Sequence, residues 1–402
     1  MKVLQINSTL NTGSTGRIAE DIGCTLIANG HESYIAFGRE SRTSTSSVFQ
    51  IGNRCSILWH VFITRIFDRH SFASKLATKR LINWIKFIKP DIIHIHCLHG
   101  YYIDTKLLFS FLDETQVPLV WTFHDAWAFT GHCTYFDFKD CYKWRVQCKK
   151  CPNLSAYPES YFYDNSTLNY NQKKHLFNLV KKMIIVSPSK WLGNHTKESF
   201  LGGYPVEIIH NGIDLNQFKP TDTESVIAKH KLDGKHVILG VASVWSQRKG
   251  LADFIKLRNN LDESYIIILV GLKNNQKRNI PDGIICIKRT ESIAELAGLY
   301  SAADVYVNPT WVDNFPTTNI EALACGTPVV TYNTGGSPEA IDSETGIVVP
   351  KGDIESLKSA IIQVLEKGKV FYTSKCRNRA LLLFNKSDRY SDYITLYNKI
   401  LS

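Results

Sequence analysis

Two carboxylates that stand eight residues apart, Asp313 and Glu321, are the first candidates for chemistry. A predicted helix begins between them, and its free backbone amides form an anion site by geometry and by the helix dipole. Further candidate contacts in this stretch are Asn314, Phe315, Pro316, Thr317 and Thr318. Carboxylates beside such an anion site suit the paired hydroxyls of a sugar or a ribose. Ordinary helix capping by acidic residues produces the same pattern.

Two cations, Arg248 and Lys249, follow a predicted strand over 236–241. Open α/β sheets bind ligands beyond the carboxyl ends of their strands, so these cations suit a diphosphate. Arginine would contact it through a bidentate fork and lysine as a point charge. A solvated loop is the alternative. Gly13 and Gly16 lie in a second strand-to-helix turn, although any such turn favours glycine.

A His-Asp pair, His124 and Asp125, ends the strand predicted over 118–123. A histidine at a strand end is either structural or part of a site. Three more histidines accompany the preceding predicted strand: His94, His96 and His99. Their number resembles a metal site, but the carboxylate that a hydrolytic metal site needs is not evident. We therefore interpret these three as cleft lining or packing.

Four of the ten cysteines lie close together in the chain: Cys133, Cys141, Cys148 and Cys151. The last two have the spacing of a metal knuckle, and the two upstream thiols complete a tetrahedral four-sulfur site. We predict a structural zinc ion there. Disulfides or a redox role, and unligated thiols, are the alternatives; disulfides are disfavoured because no export signal is recognised.

The elements that must position these residues alternate between strand-like apolar runs and helices, which is typical of parallel sheets with crossover helices. Six strands are predicted in each half: 3–6, 34–37, 92–96, 118–123, 183–187, 206–210, 236–241, 265–271, 284–288, 304–308, 328–332 and 347–349. We predict an α/β protein with Rossmann-like domains over 1–212 and 213–385. A C-terminal helix over 386–402 is expected to pack on the first domain.

The composition fits a folded globular chain, with 402 residues, 44% hydrophobic and 21% charged, and excludes disorder and fibrous repeats. No apolar run is long enough to span a bilayer, so we expect a soluble or peripheral protein. The net charge of +10 predicts an anionic partner: nucleic acid, anionic lipid or a phosphorylated small molecule. No nucleic-acid-binding module is recognised, so we expect no nucleic acid partner.

The segment over 54–90 is strongly basic, and Asp68 is its one acid. Its basic residues are Arg54, Arg65, Arg69, Lys75, Lys79, Arg80, Lys86 and Lys89. Apolar residues alternate with them: Leu58, Trp59, Phe62, Ile63, Ile66, Phe67 and Trp84. One interpretation is a segment that lies in an anionic membrane interface. The other is a helix pair with a core-packed apolar face and a solvated basic face.

The stretch 313–330, with Gly335-Gly336-Ser337-Pro338-Glu339, resembles the C-terminal signature of family 4 retaining glycosyltransferases of the GT-B fold. That signature has two glutamates eight residues apart, then Ala, Cys-Gly-x-Pro-Val-Val and a Gly-Gly-x-x-Glu loop. The resemblance extends along nearly the whole chain, and enzymes of bacterial polysaccharide biosynthesis are similar. It implies two Rossmann-like domains facing across a cleft, with the donor mainly on the C-terminal domain and the acceptor on the N-terminal one.

The resemblance also implies roles for the donor-side residues. Asp313 replaces the family's first glutamate, which meets the hydroxyls of the donor sugar, and Glu321 matches the second, which holds the ribose. Lys249 matches a lysine that holds the donor diphosphate. The family's arginine position is Val244 here, so Arg248 is expected to take over that duty.

On the acceptor side, the resemblance implies that Gly13 and Gly16 face the donor phosphates and that His124 lies against the donor sugar. The implied activity is retaining hexosyl transfer from a nucleotide-diphosphate sugar to a hydroxyl acceptor, without a catalytic metal. We expect the acceptor to be a glycan or lipid-linked glycan of bacterial surface polysaccharide synthesis. The expected location is the cytoplasm, with peripheral attachment to the inner membrane face.

Two other functions remain open at this point. A nucleotide-sugar epimerase of the GT-B fold would use the same diphosphate contacts, with carboxylates as acid and base. A non-catalytic nucleotide-sugar-binding protein would bind the donor without turnover.

Overall fold

A computed structural model describes the backbone of residues 1–402 and every side chain except that of Asn279. Within this part of the chain, apolar runs form two parallel sheets, one in each half. The predicted α/β class with two Rossmann-like sheets is therefore confirmed. Helices connect the strands, as parallel pairing requires.

The N-terminal sheet has seven strands in the order β3-β2-β1-β4-β5-β6-β7 over the described residues. Its strands are β1 (Lys2–Asn7), β2 (Glu32–Phe37), β3 (Ser47–Gln50), β4 (Ile92–Ile95), β5 (Leu119–Thr122), β6 (Met183–Ser187) and β7 (Val206–Ile208). The sequence analysis missed β3. This edge strand is mostly exposed, so it lacks the continuous apolar run that marks the inner strands.

The C-terminal sheet has the order β10-β9-β8-β11-β12-β13. Its strands are β8 (His236–Val241), β9 (Tyr265–Val270), β10 (Ile284–Ile287), β11 (Val305–Asn308), β12 (Val329–Tyr332) and β13 (Gly346–Val349). Each corresponds to a predicted strand. The sheet order reverses at β8 and β11, which is where an open sheet of this kind binds its ligands.

The helices pack on both sheets. They are α1 (Gly13–Ala28), α2 (Arg54–Phe67), α3 (Lys75–Ile88), α4 (Thr105–Thr115), α5 (Ser166–Phe177), α6 (Lys190–Glu198), α7 (Glu224–His230), α8 (Leu251–Asn259), α9 (Ile293–Ala302), α10 (Thr317–Ala324), α11 (Ile354–Lys367), α12 (Lys369–Leu383) and α13 (Lys386–Leu401). Among the described residues, none of these helices combines the length and apolarity that a bilayer crossing needs.

The chain divides into two compact units, Met1–His210 with Tyr390–Ser402, and Asn211–Arg389. The sequence analysis drew the boundary after residue 212. The apolar stripe of α13 belongs to the first unit, where Tyr393 and Tyr397 are buried in a cluster with residues of the N-terminal sheet.

Candidate active site

Arg248, Lys249 and Asp313 meet at the carboxyl ends of β8 and β11. Lys249 Nζ lies 2.5 Å from Asp313 Oδ2, and Arg248 Nη1 lies 3.7 Å from the same oxygen. Arg248 Nη1 also donates to the Val312 carbonyl at 2.8 Å. Gly250 makes this approach possible: its φ is +76°, and a Cβ there would lie 2.2 Å from the Pro309 carbonyl oxygen.

The charges of this group are well defined. Burial alone would raise the pKa of Asp313, but Lys249 and Arg248 outweigh burial and hold that pKa below its usual value. Asp313 is therefore a carboxylate at neutral pH. Two cations therefore lie beside one carboxylate in this group. Val244, at the family's arginine position, is exposed.

The start of α10 stands directly after this group. Pro316 is its N-cap residue, with φ −69° and ψ 118°, and Thr317 is the first helical residue. The helix therefore begins between Asp313 and Glu321, as predicted, and Pro316 lies one position outside it. Asn314 and Phe315 are buried. The first backbone amides of α10, including those of Thr317 and Thr318, have no carbonyl partner within the helix.

Glu321 is held by a buried tyrosine on α9. The Tyr300 hydroxyl donates to Glu321 Oε2 at 3.0 Å. Burial raises the pKa of Tyr300 well above its ordinary value, and the Glu321 charge adds to this rise. The phenol therefore stays protonated and fixes one carboxylate oxygen.

In the N-terminal unit, Gly13 and Gly16 shape the turn between β1 and α1. Gly13 begins the helix with a φ of +66°, which favours glycine. A Cβ on Gly16 would lie 2.8 Å from Thr9 Oγ1, so the helix and the loop approach closely there. The N-cap residue Thr12 makes no side-chain capping hydrogen bond. The first amides of α1 are thus not capped by this side chain.

His124 belongs to a buried histidine network at the carboxyl edge of the N-terminal sheet. Its Nε2 lies 3.1 Å from His96 Nδ1, and His96 Nε2 lies 2.9 Å from Gln5 Oε1. Burial lowers the pKa of His124 to about 4. His124 is therefore a neutral imidazole at neutral pH, which contacts a ligand by hydrogen bonds and packing.

His99 and Asp125 form an ion pair in the same small cavity that His124 lines. His99 Nε2 lies 2.7 Å from Asp125 Oδ2, and Nδ1 lies 3.2 Å from the Tyr157 hydroxyl. Burial opposes the charge, but Asp125 raises the pKa of His99 well above its ordinary value. The cavity therefore contains an imidazolium. His99 was interpreted from the sequence as cleft lining or packing, and its pairing with Asp125 was not predicted, although both residues follow carboxyl ends of predicted strands.

His94 and His96, the other two of the three histidines on and after β4, differ from each other. His94 is a packing residue, as interpreted, because its ring nitrogens bind the Tyr397 hydroxyl at 2.6 Å and Thr122 Oγ1 at 2.8 Å. His96, by contrast, contacts His124 and lines the cavity.

The four clustered cysteines line one cavity. Cys133 lowers the pKa of the Cys151 thiol to about 7 through a hydrogen bond, and the Gly131 amide donates to Cys148 Sγ at 3.2 Å. These soft donors suit zinc. Among the described side chains, however, no three His, Cys, Asp or Glu residues adopt an arrangement that holds a metal. The structural zinc ion stays a prediction.

Comparisons with known proteins point to one class of enzyme. A family model described as glycosyl transferases group 1 matches residues 222–380, and one described as Glycosyltransferase Family 4 matches residues 15–217. The putative colanic acid biosynthesis glycosyl transferase WcaC of Escherichia coli K12 is 26% identical over 89% of each chain. A UDP-Gal:alpha-D-GlcNAc-diphosphoundecaprenol alpha-1,3-galactosyltransferase of Escherichia coli is 28% identical over 50% of this chain and 56% of its own.

Solved structures agree on the fold. Sucrose-phosphate synthase from Thermosynechococcus elongatus matches with a TM-score of 0.73 at 16% identity, over 100% of this chain and 99% of that one. HepE of Anabaena in complex with UDP matches with a TM-score of 0.70 at 14% identity, over 99% of this chain and 100% of that one. The chain belongs to Glycosyltransferase Family 4: it is a glycosyltransferase of the GT-B fold, similar to those of bacterial polysaccharide biosynthesis.

Proposed function

We propose that this enzyme moves a hexosyl group from a nucleotide-diphosphate sugar to a hydroxyl of a lipid-linked glycan, with retention at the anomeric carbon. The observation that carries the proposal is the meeting of Arg248, Lys249 and Asp313 beside the start of α10. This group combines cations for a leaving diphosphate with a carboxylate for sugar hydroxyls.

The donor diphosphate would bind Arg248, Lys249 and the first amides of α10. These groups stabilise the negative charge that develops as the bond from the anomeric carbon to the phosphate oxygen breaks. Asp313 would accept hydrogen bonds from the donor sugar. Glu321, oriented by Tyr300, would accept from the ribose hydroxyls.

Retention would proceed on the front face of the sugar. Asp313 is engaged by two cations, and we propose no other residue of the site as a covalent nucleophile. The acceptor oxygen bonds to the anomeric carbon while the phosphate leaves, and a donor phosphate oxygen takes the acceptor proton. We infer no catalytic metal, since cations and amides supply the positive charge.

The relatives guide the choice of substrates. One solved neighbour contains UDP, and one relative is named for transfer from UDP-Gal to GlcNAc-diphosphoundecaprenol. We therefore propose a UDP-sugar as donor and a polyprenyl-diphosphate-linked glycan as acceptor. Synthesis of a surface polysaccharide at the inner membrane face is the corresponding cellular role.

We also propose that α2 attaches the enzyme to an anionic membrane. The buried residues of α2 are His60 and Thr64, whereas four of its large apolar side chains are exposed: Leu58, Trp59, Phe62 and Phe67. The aromatic surface, as we name it, consists of Trp59, Phe62, Phe67, Phe162 and Tyr163, all 39% exposed or more. The rings of Phe67 and Tyr163 stack with centroids 5.7 Å apart, which joins α2 to the loop that carries the last two residues.

The deciding experiment incubates the purified protein with UDP-, GDP- and ADP-sugars, with and without a polyprenyl-diphosphate-linked GlcNAc acceptor. We expect acceptor-dependent release of UDP and a new α-linked product, identified by NMR of the anomeric proton. An inverted linkage would contradict retention. Epimerised donor without acceptor would identify an epimerase, and donor binding without turnover a non-catalytic binding protein.

A further inference from the structure

We propose that Arg39 and Tyr101 form a binding site for a phosphate group of the acceptor. The site lies in the N-terminal unit, whereas Arg248 and Lys249 belong to the C-terminal unit. The inference rests on the proposed function, because the acceptor proposed there carries an anionic diphosphate linker.

Arg39 is a cation without a partner on a rigid backbone. It follows the carboxyl end of β2, and its amide donates to the Ser8 carbonyl at 2.9 Å. A Cβ on the preceding residue, Gly38, would lie 2.3 Å from the Tyr102 ring, so the backbone has little room to move. The Arg39 guanidinium makes no hydrogen bond or ion pair with any described side chain, and its Nε is buried. A buried unpaired donor is costly, and an incoming anion would satisfy it.

Tyr101 supplies a second polar group without a partner. Its φ of +67° is rare for a residue with a large side chain, and such strained backbone concentrates at functional sites. The ring is buried, but the hydroxyl makes no hydrogen bond with a described residue. Burial raises the pKa of Tyr101, and the charges of Arg65 and Arg39 oppose this rise. The close approach of Gly38 to the Tyr102 ring places Arg39 and Tyr101 on adjacent loops.

The surroundings suit a phosphate that arrives at the carboxyl edge of the sheet. Tyr101 and His99 both contact the ring of Tyr157, with centroids 5.9 and 5.6 Å apart. The charge of His99 is balanced by Asp125, with which it forms an ion pair. The positive charge that remains for a phosphate group is therefore that of Arg39. Guanidinium groups bind phosphate oxygens through two parallel hydrogen bonds. Arg65, which lies near Tyr101, is on α2, so the site adjoins the helix that we propose to contact the membrane.

The test measures binding of inorganic pyrophosphate to the full chain by calorimetry, with UDP at saturation so that the donor site is filled. We expect Arg39→Ala to weaken pyrophosphate binding about 10- to 100-fold, the range for a lost charged hydrogen bond. Tyr101→Phe, which removes only the hydroxyl, should weaken it about 3- to 10-fold. Arg42→Ala is the matched control, because Arg42 is exposed three residues further on.

Kinetics supply a second readout. With a diphosphate-linked acceptor, Arg39→Ala should raise the KM for the acceptor and leave the KM for the donor unchanged. Arg39→Lys should recover part of the loss. Unaltered pyrophosphate affinity in both Arg39→Ala and Tyr101→Phe, or no pyrophosphate binding by the UDP-bound wild type, would overturn the site.

Failure of the proposed function gives a different result. The same titration in the Arg248→Ala/Lys249→Ala double variant removes the donor phosphate contacts without the need for UDP. If that variant still binds pyrophosphate through Arg39 while the wild type transfers no sugar, the acceptor site stands and the proposed reaction fails. If the wild type transfers sugar but pyrophosphate binding is insensitive to Arg39, only the acceptor site fails.

Discussion

In the proposed reaction, Lys249 is the residue on which the donor chemistry depends most directly. Its ammonium group contacts Asp313 before any donor is bound, and the diphosphate would bring a second anion to the same place. We expect Lys249→Ala to lower kcat about 100- to 1,000-fold, because one preorganised electrostatic contact to the leaving group is lost. Steady-state assays of UDP release measure this effect.

Lys256→Ala is the control for that change, since Lys256 is an exposed lysine on the neighbouring helix α8. It should retain wild-type rates, and both variants should unfold at temperatures near that of the wild type. Wild-type kcat in an Arg248→Ala/Lys249→Ala double variant would remove both residues from the reaction.

The two carboxylates should differ in what they control. Glu321→Gln is expected to weaken nucleotide binding by about 3- to 30-fold, since the ribose loses a charged acceptor. Asp313→Asn should mainly lower turnover and alter the choice of sugar, and Asp313→Glu should keep part of the activity. Calorimetry with UDP distinguishes the two roles, because Glu321→Gln should weaken UDP binding and Asp313→Asn should mainly lower turnover. Unchanged kinetic constants in Asp313→Ala would show that Asp313 is wrongly assigned to the active site.

At the scale of elements, the proposed attachment of α2 to an anionic membrane can be tested directly. We expect flotation with vesicles that contain anionic phospholipid and not with neutral vesicles, and weaker binding as salt rises. Each surface cation contributes only about 1 kcal/mol and is screened beyond roughly 10 Å at 0.1 M salt. Trp59→Ser with Phe62→Ser should reduce flotation, because their exposed rings would enter the interface.

A matched control replaces exposed apolar residues elsewhere, Val370→Ser with Leu382→Ser on α12. Equal flotation of this variant and the α2 variant, or binding that ignores lipid charge, would return α2 to an ordinary surface helix. Arg69 is unsuitable for such a test, because it binds Asn169 and Gln172 on α5 and its loss would disturb packing.

The loop that carries the four clustered cysteines is the second element with a testable property. We predict about one zinc ion per chain in protein purified without added metal, because four thiolates around the ion would complete a closed tetrahedral site. Replacing Cys148 and Cys151 together by serine should abolish it. Cys24→Ser with Cys55→Ser, two exposed cysteines elsewhere, is the control. Metal-free protein whose four thiols are all alkylated under native conditions would exclude zinc.

At the scale of the whole molecule, buried neutral histidines should govern the response to acid. Burial lowers the pKa of His60 and His94 to about 3 and that of His124 to about 4. A group whose pKa is lowered on folding stabilises the protein above its unfolded pKa of about 6.5 and loses that contribution as the pH falls. The free energy of unfolding should therefore decrease between about pH 7 and 4.

The measurement is urea unfolding at several pH values. The slope approaches 1.4 kcal/mol per pH unit for each such histidine, and His94→Gln should reduce it. His99 has the opposite sign: its raised pKa keeps its contribution in acid and loses it as the pH rises through that pKa. Stability that is flat from pH 7 to 4 would contradict the buried neutral state.

The sequence by itself determined the inner strands, the start of α10 and the loop around Asp313. These signals are local, because a buried parallel strand is a continuous apolar run and the loop that contains Asp313 is part of one contiguous motif. It also placed Arg248 and Lys249 at a strand end. The edge strand β3 escaped prediction because its exposed residues show no such run.

Only the tertiary structure decided which distant residues meet. His99 and Asp125 pair because β4 and β5 are neighbours in the sheet. The loops that carry Arg39 and Tyr101 meet where Gly38 approaches the Tyr102 ring. The outward direction of the apolar side chains of α2 was equally hidden, since periodicity gives a helix its faces but not the partner that each face packs against. Strand order and packing partners are set by the whole chain, which is why no local pattern revealed these contacts.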